Sequence, residues 1–139
     1  MEHPMNRILV VDDNAKAREH LASAARVPGV EVVTAGSVAE AIQRIAHEIF
    51  YVVVTDLQLE TSQSGLEVLT AAKERDIYTQ VIVITAYGTP EISVRCMALG
   101  AFDYLEKNSP GTDALAMINK KVQLAIEFRN AKLREGGVQ

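Results

Sequence analysis

Along the chain, short continuous apolar runs alternate with longer stretches whose apolar residues recur every three or four positions. Five runs read as strands: Ile8-Leu9-Val10-Val11, Val30–Ala35, Phe50–Thr55, Val81–Ile84 and Ala101–Leu105. They are rich in β-branched and aromatic residues, which fit a pleated, buried surface. The inner ones are apolar on both faces, as in a parallel sheet covered on each side. Between them lie helical periodicities. Asn14 caps Ala15–Arg26, where Ala17, Leu21 and Ala24-Ala25 recur at helical spacing and Pro28-Gly29 stops the helix. Ser37 and Glu40 have the spacing of a capping box, ahead of an inner face of Val38, Ala41-Ile42 and Ile45. Gly65-Leu66 opens a third helix with Leu66, Leu69 and Ala72 inward. Ile92–Leu99 is the fourth, ended by Gly100 in a left-handed conformation. Ser109-Pro110-Gly111 breaks the chain before a last helix from Thr112 to Arg134.

Strand and helix alternate five times with short connections, which predicts a parallel sheet with helices on both faces. With right-handed crossovers the expectation is an α/β, flavodoxin-like doubly wound five-stranded sheet in the order 2-1-3-4-5, with an extended C-terminal helix. The 139 residues suit one domain, and the 48% of apolar residues suffice for a core. Cys96 is the one cysteine, which excludes an internal disulfide and a cysteine zinc site; it reads as a small buried hydrophobe, and Met97 and Met117 as core filler. Met1–Asn6 has no apolar segment of a signal peptide, and no apolar run approaches the roughly 20 residues of a membrane span. The expectation is a soluble, cytoplasmic protein. The net charge of −4 divides into +3 from Lys120 onward and −7 before it. An acidic body argues against direct nucleic-acid binding, and the basic tail reads as a solvated helix face.

The strand ends carry the chemistry. The first ends in Asp12-Asp13, the third in Asp56, the fourth in Thr85, and Lys107 lies two residues beyond the fifth. An unpaired carboxylate tolerates no burial, so Asp56 is expected just past its strand, at the edge where open α/β sheets bind ligands. In the expected order, strands 1, 3, 4 and 5 are consecutive, and their ends form one pocket. Three carboxylates there repel, at about 4 kcal/mol per pair at 4 Å and a dielectric near 20. Such a cluster raises a pKa or takes a cation, and hard oxygens suit Mg²⁺. Carboxylate, metal, lysine and hydroxyl are together the parts needed for phosphoryl transfer onto an oxygen nucleophile. His3, His20 and His47 show no metal spacing and read as surface residues.

Val10-Val11-Asp12-Asp13-Asn14, Val54-Thr55-Asp56, Ile84-Thr85-Ala86 and Gly100–Lys107 resemble the receiver domain of bacterial response regulators, over roughly residues 6–125. The resemblance implies a receiver domain at 5–125, with 126–139 as helix extension and linker. It implies that Asp56 is the nucleophile that accepts a phosphoryl group from a histidine kinase. Mg²⁺ would be held by Asp13 and Asp56, by Asp12 through water and by the backbone carbonyl of Gln58. Lys107 would pair with the phosphoryl group and Thr85 would hydrogen-bond it. Tyr104 would swing inward behind Thr85 and alter the face made by the fourth helix, fifth strand and last helix. That face would engage an output domain or effector protein, or a second copy. Gln58, Ala86 and Tyr87 would flank the site and tune it.

Three features depart from the family pattern. Asn108 follows Lys107 where the family has proline; a cis bond there would cost about 3–4 kcal/mol, which favours trans and leaves the reach of Lys107 open. Glu60 and Ser64 stand where the loop after Asp56 has proline and glycine, and Gly65 comes one residue later. The last helix is about two turns too long for an isolated receiver. Its apolar stripe of Leu115, Ile118, Val122, Ala125-Ile126 and Leu133 is interrupted by Arg129, and suits a connection to an output domain or a dimer seam. The expected protein is a signalling switch, not a metabolic enzyme. The alternatives are a pseudo-receiver that binds without phosphorylation, and a haloacid-dehalogenase-like phosphatase. The second is disfavoured because Asp12-Asp13-Asn14 lacks its Asp-x-Asp pattern. A flavin-binding flavodoxin is disfavoured by acids where a phosphate loop would stand.

Overall fold

The computed structural model describes residues 6–108, 110–111 and 113–137. Ser109 and Thr112, in the expected break and helix start, lie outside the described residues, as do His3 and the expected domain start at residue 5. The elements are β1 Asn6–Val11, α1 Ala15–Ala24, β2 Val30–Ala35, α2 Val38–His47, β3 Val52–Asp56, α3 Gly65–Arg75, β4 Gln80–Thr85, α4 Pro90–Ala98, β5 Asp103–Glu106 and α5 Ala114–Glu135. The sheet is parallel with the order β2-β1-β3-β4-β5, the flavodoxin-like order expected. No helix among the described residues is long and apolar enough to cross a membrane.

Each side of the sheet has its own core. Leu9, Val11, Val53, Val81 and Val83 face α2, α3 and α4, together with Phe50 and Cys96. Ile8, Val10, Val54, Ile84 and Leu105 face α1 and α5, against Leu21, Ile118 and Val122. Alternation along each strand produces this division, since successive side chains point to opposite faces. It also sorts the strand ends. Val11 pairs with Thr55, Asp56 with Ile84, and Ile84 with Leu105. Asp12 therefore stands level with Asp56, and both continue the row that faces α1 and α5. Lys107, two beyond Leu105, has the same parity. Thr85 and Tyr104 belong to the opposite row.

Several local expectations are corrected. Asp56 is the last residue of β3, not one past it; its burial is tolerated because both carboxylate oxygens find donors. β5 begins at Asp103, because Ala101 N–H is used on Cys96 O in the turn after α4. Gly100 there has φ +100°, the left-handed terminator expected. α4 begins two residues early, since Pro90 fits a first turn and Thr89 Oγ1 accepts from Ile92 N–H. Ser37 Oγ accepts from Glu40 N–H, but the Glu40 carboxylate reaches back to Gly36 N–H, one residue before the cap. Ile42 and Met97 are exposed, because Val38, Ala41 and Ile45 already face the sheet from α2, as Ile92 and Cys96 do from α4.

Arg129 does not interrupt the α5 stripe; it continues it. Ile118, Val122, Ala125 and Arg129 are its buried row, and Leu115 is exposed. The Arg129 guanidinium lies 3.8 Å from the centroid of the Tyr51 ring. One residue before it, Phe128 meets Phe102 with centroids 5.6 Å apart.

Candidate functional site

Asp12, Asp56 and Lys107 converge at the carboxyl edge of the sheet. Asp12 is 1% exposed and Asp56 7%. Asp56 Oδ1 accepts from Gln58 N–H at 3.0 Å, and Oδ2 accepts from Lys107 Nζ at 3.0 Å. Asp12 Oδ1 accepts from Asn14 N–H at 2.9 Å, and its Oδ2 lies 3.4 Å from Lys107 Nζ. The Asp12 carbonyl accepts from Arg18 NH1 at 2.9 Å, which ties α1 to the acidic turn. No peptide bond among the described residues is cis, so Lys107–Asn108 is trans, and Lys107 still reaches both carboxylates. Lys107 N–H bonds to Thr85 O at 2.8 Å, extending the β4–β5 ladder and aiming the lysine inward.

One ammonium thus serves two buried carboxylates. Burial raises the Asp56 pKa above its ordinary 3.8; the Gln58 N–H and Lys107 pull it down, Asp12 pushes it up, and the net direction is upward. Burial lowers that of Lys107, but Asp56 and Asp12 outweigh it and the direction is again upward. The two directions conflict for a simple ion pair, which would lower the acid. Burial reconciles them: desolvation of the Asp56 carboxylate outweighs its bonds from Gln58 and Lys107, Asp12 adds to the rise, and the ammonium gains two partners.

The remaining expected residues take different places. Thr85 is fully buried at the end of β4, and its Oγ1 accepts from Tyr87 N–H at 3.2 Å. Gln58 and Ala86 are half-buried, and Tyr87 is exposed. Tyr104 packs its ring on the α2–α4 side core, and its hydroxyl is buried with no hydrogen-bond partner among the described residues. That hydroxyl sits against Gly88, where a Cβ would overlap it. Asp13 is exposed and carries no side-chain hydrogen bond or ion pair among the described residues. No group of three or more acidic, histidine or cysteine side chains is gathered for a metal among them. Mg²⁺ does not require one; it keeps several waters and takes one or two carboxylates. Two buried carboxylates with one shared ammonium leave a net negative charge and hard oxygen donors, which fit that ion.

Three structural contributors carry no signal in the sequence pattern of strand ends. Arg18 is one. Gly65 is another: a Cβ there would come within 2.7 Å of Leu57 Cα and 2.9 Å of Leu57 O, so the start of α3 presses against the strand end that bears Asp56. The Ser64 hydroxyl, buried, accepts from Thr61 N–H and donates to Thr61 O, closing a turn that absorbs the one-residue offset of the glycine. The third is Glu60, whose carboxylate accepts from Val38 N–H at 3.1 Å. Its type at that position was the only hint.

The chain is similar to known proteins. The family model for the response regulator receiver domain matches residues 8–119. The chain is 37% identical over 124 residues to the acid tolerance regulatory protein ActR of Rhizobium meliloti, covering 89% of this chain and 63% of ActR. It is 31% identical to the response regulator protein PilR of Pseudomonas aeruginosa, over 95% of this chain and 28% of PilR. The chain therefore spans less than two thirds of the length of these relatives. Among solved structures, a response regulator receiver domain protein from Clostridium thermocellum aligns with a TM-score of 0.77 at 25% identity, covering 91% of this chain and 98% of that one. The beryllofluoride-activated NtrC4 receiver domain dimer aligns with a TM-score of 0.76 at 28% identity, covering 90% and 99%. With its strand order and the Asp12–Asp56–Lys107 cluster, the chain belongs to the response regulator receiver domain family.

Proposed function

We propose that this chain is a phospho-accepting switch of a two-component system, with Asp56 as the acceptor and a histidine kinase as the donor. The observation that carries the reading is the Lys107 ammonium 3.0 Å from the Asp56 carboxylate, on a buried site with one charge too few. A carboxylate oxygen of Asp56 attacks phosphorus, the phosphorus–nitrogen bond of the phosphohistidine breaks, and its electron pair stays on the imidazole. Lys107 then follows the negative charge from the carboxylate to a phosphoryl oxygen. The Thr85 hydroxyl accepts from Tyr87 N–H, so its own proton is left to donate to the phosphoryl group. Asp13, Asp56 and the Gln58 carbonyl would hold Mg²⁺ directly and Asp12 through water, and the ion would supply charge neutralisation for the transferring group.

Readout rests on the second row of strand ends. Movement of Thr85 toward the phosphoryl group makes room behind it for Tyr104, whose hydroxyl has no partner among the described residues to lose. Tyr104 also lines a groove of about 400 Å³ with Thr89, Pro90, Ser93, Glu106 and Met117, between α4, β5 and α5. One new charge thereby biases a two-state surface. Gln58, Ala86 and Tyr87 flank the acceptor and set the lifetime of the acyl phosphate. Residues 5–125 form the receiver unit, and 126–139 lead to an output domain or effector, in a cytoplasmic protein that does not turn over metabolites. A pseudo-receiver is the second reading, favoured by the exposure of Asp13 and the lack of a three-acid cluster among the described residues.

The test is labelling with acetyl phosphate or phosphoramidate and Mg²⁺. One phosphoryl group is expected per chain, and none in Asp56→Asn. Undiminished labelling of that variant removes Asp56 from the role. Failure of the wild type to bind Mg²⁺ or beryllofluoride selects the pseudo-receiver.

A further inference from the structure

The loop between β3 and α3 carries Gln58 beside the acceptor. Among the described residues, its segment 58–64 has one hydrogen-bond partner outside the loop and the β3 and α3 that flank it: Val38 N–H donates to the Glu60 carboxylate, at 3.1 Å to Oε1 and 3.4 Å to Oε2. The other polar ties are local, from Gln58 N–H to Asp56, between Thr61 and Ser64, and from Leu66 N–H and Glu67 N–H at the start of α3 to Gln63 O and Ser64 O. Leu59, buried in the core, anchors the apolar side of the loop.

Val38 is the first residue of α2, so its N–H has no partner within the helix. Ser37 and Glu40 are both spent elsewhere, on Glu40 N–H and Gly36 N–H. Glu60 fills the remaining need from 22 residues away in sequence, and a carboxylate is the favoured partner at a helix N-terminus. The bond joins the loop two residues after Gln58 to a helix seated on β1 and β2. It restricts the loop before any ligand arrives.

We propose that Glu60 is a positioning residue for the phosphorylation site: by capping α2 it holds the β3–α3 loop, and with it the Gln58 carbonyl, in the arrangement that Mg²⁺ and the acceptor require. The inference rests on the phospho-acceptor reading. Ordering achieved in folding is not spent again on binding, so the tether acts on the Mg²⁺ requirement more than on the limiting rate. Glu60 is exposed and touches no reacting atom, so its replacement leaves the core intact.

The experiment compares wild type, Glu60→Ala and Glu60→Gln. Phosphorylation by phosphoramidate is followed against Mg²⁺ concentration, and amide exchange of Val38 and Gln58 is followed by NMR without metal. In Glu60→Ala the half-saturating Mg²⁺ concentration should rise about threefold or more, with the limiting rate within about twofold, as for groups that orient metal ligands. Exchange at both amides should quicken. Glu60→Gln keeps an acceptor for Val38 N–H and should stay close to wild type in both readouts. Unchanged exchange in Glu60→Ala, or unchanged Mg²⁺ dependence, overturns the proposal. So does an equal loss in Glu60→Gln, which would assign the effect to charge alone. If the wild type takes no phosphoryl group, the phospho-acceptor reading fails first, and the exchange data still decide whether the tether exists.

Discussion

Replacing Gly65 with alanine gives the sharpest test of how the acceptor strand is supported. In an ordinary helix, Gly→Ala is stabilising by up to about 1 kcal/mol. At Gly65 the sign should reverse. The added Cβ would lie 2.7 Å from Leu57 Cα and 2.9 Å from Leu57 O, against 3.4–4 Å for an ordinary contact, with the Asp56 carbonyl closer still. All three are backbone atoms at the end of the central strand, so no flexible side chain can give way. Relief requires α3 to retreat by about an ångström, and forced overpacking of this kind costs about 1–3 kcal/mol. The same retreat stretches the hydrogen bond from Gly65 N–H to Leu57 O, now 2.8 Å, worth about 1 kcal/mol net. Set against the helix gain, the balance is a loss of roughly 1–3 kcal/mol. For a domain of this size that corresponds to a Tm lower by roughly 3–15 °C. Thermal and urea unfolding followed by circular dichroism measure it. Gly111→Ala is the control, with open space around the position and only its φ of +74° to oppose the change, at about 1–2 kcal/mol. A Gly65→Ala protein that melts at or above wild type refutes the close-approach argument.

Three further outcomes follow from the same coordinates. Burial first, and then Asp12, raise the Asp56 pKa, so the unfolded chain releases that proton at lower pH than the folded one; stability from this group falls as pH rises from about 4 through the folded pKa. In metal-free buffer, Asp56→Asn should therefore raise Tm at pH 7, with the gain vanishing below about pH 4; a gain that persists in acid contradicts the assignment. Tyr104→Phe removes a buried hydroxyl that has no partner among the described residues, and should change stability by less than about 0.5 kcal/mol in urea titration; a loss above about 1.5 kcal/mol would reveal a bond. Ending the chain after residue 125 removes the Phe128–Phe102 contact and the Arg129–Tyr51 stack, and should cost about 2 kcal/mol; a truncated protein melting with the full chain refutes their contribution.

Much of the molecule was legible from local pattern. Strands reveal themselves by β-branched runs, helices by spacing and caps, and both depend on residues within one turn or one pleat of each other. Asn14, Ser37 and Gly100 took the terminal roles read for them. The expected strand order already put the ends bearing Asp12, Asp56 and Lys107 side by side; that the three share a face follows from the strand register. Long-range accommodation was not legible. Asn108 beside Lys107 left the lysine's reach open, and a trans backbone continuing the β4–β5 ladder answers it. Arg129 reads as a polar break in an apolar stripe, yet its stem packs inward because Tyr51 offers an aromatic face.

What the linear order of residues determined by itself is therefore the set of elements, their sequence and the polar groups at their ends, since each follows from near-neighbour sterics and from burial periodicity. What only the tertiary structure decided is which distant groups meet: Glu60 on Val38, Gly65 on Leu57, Tyr104 on Gly88, and one ammonium shared between two carboxylates. Such meetings depend on how five strand ends and the loops above them close-pack in space, and packing is settled by all elements at once.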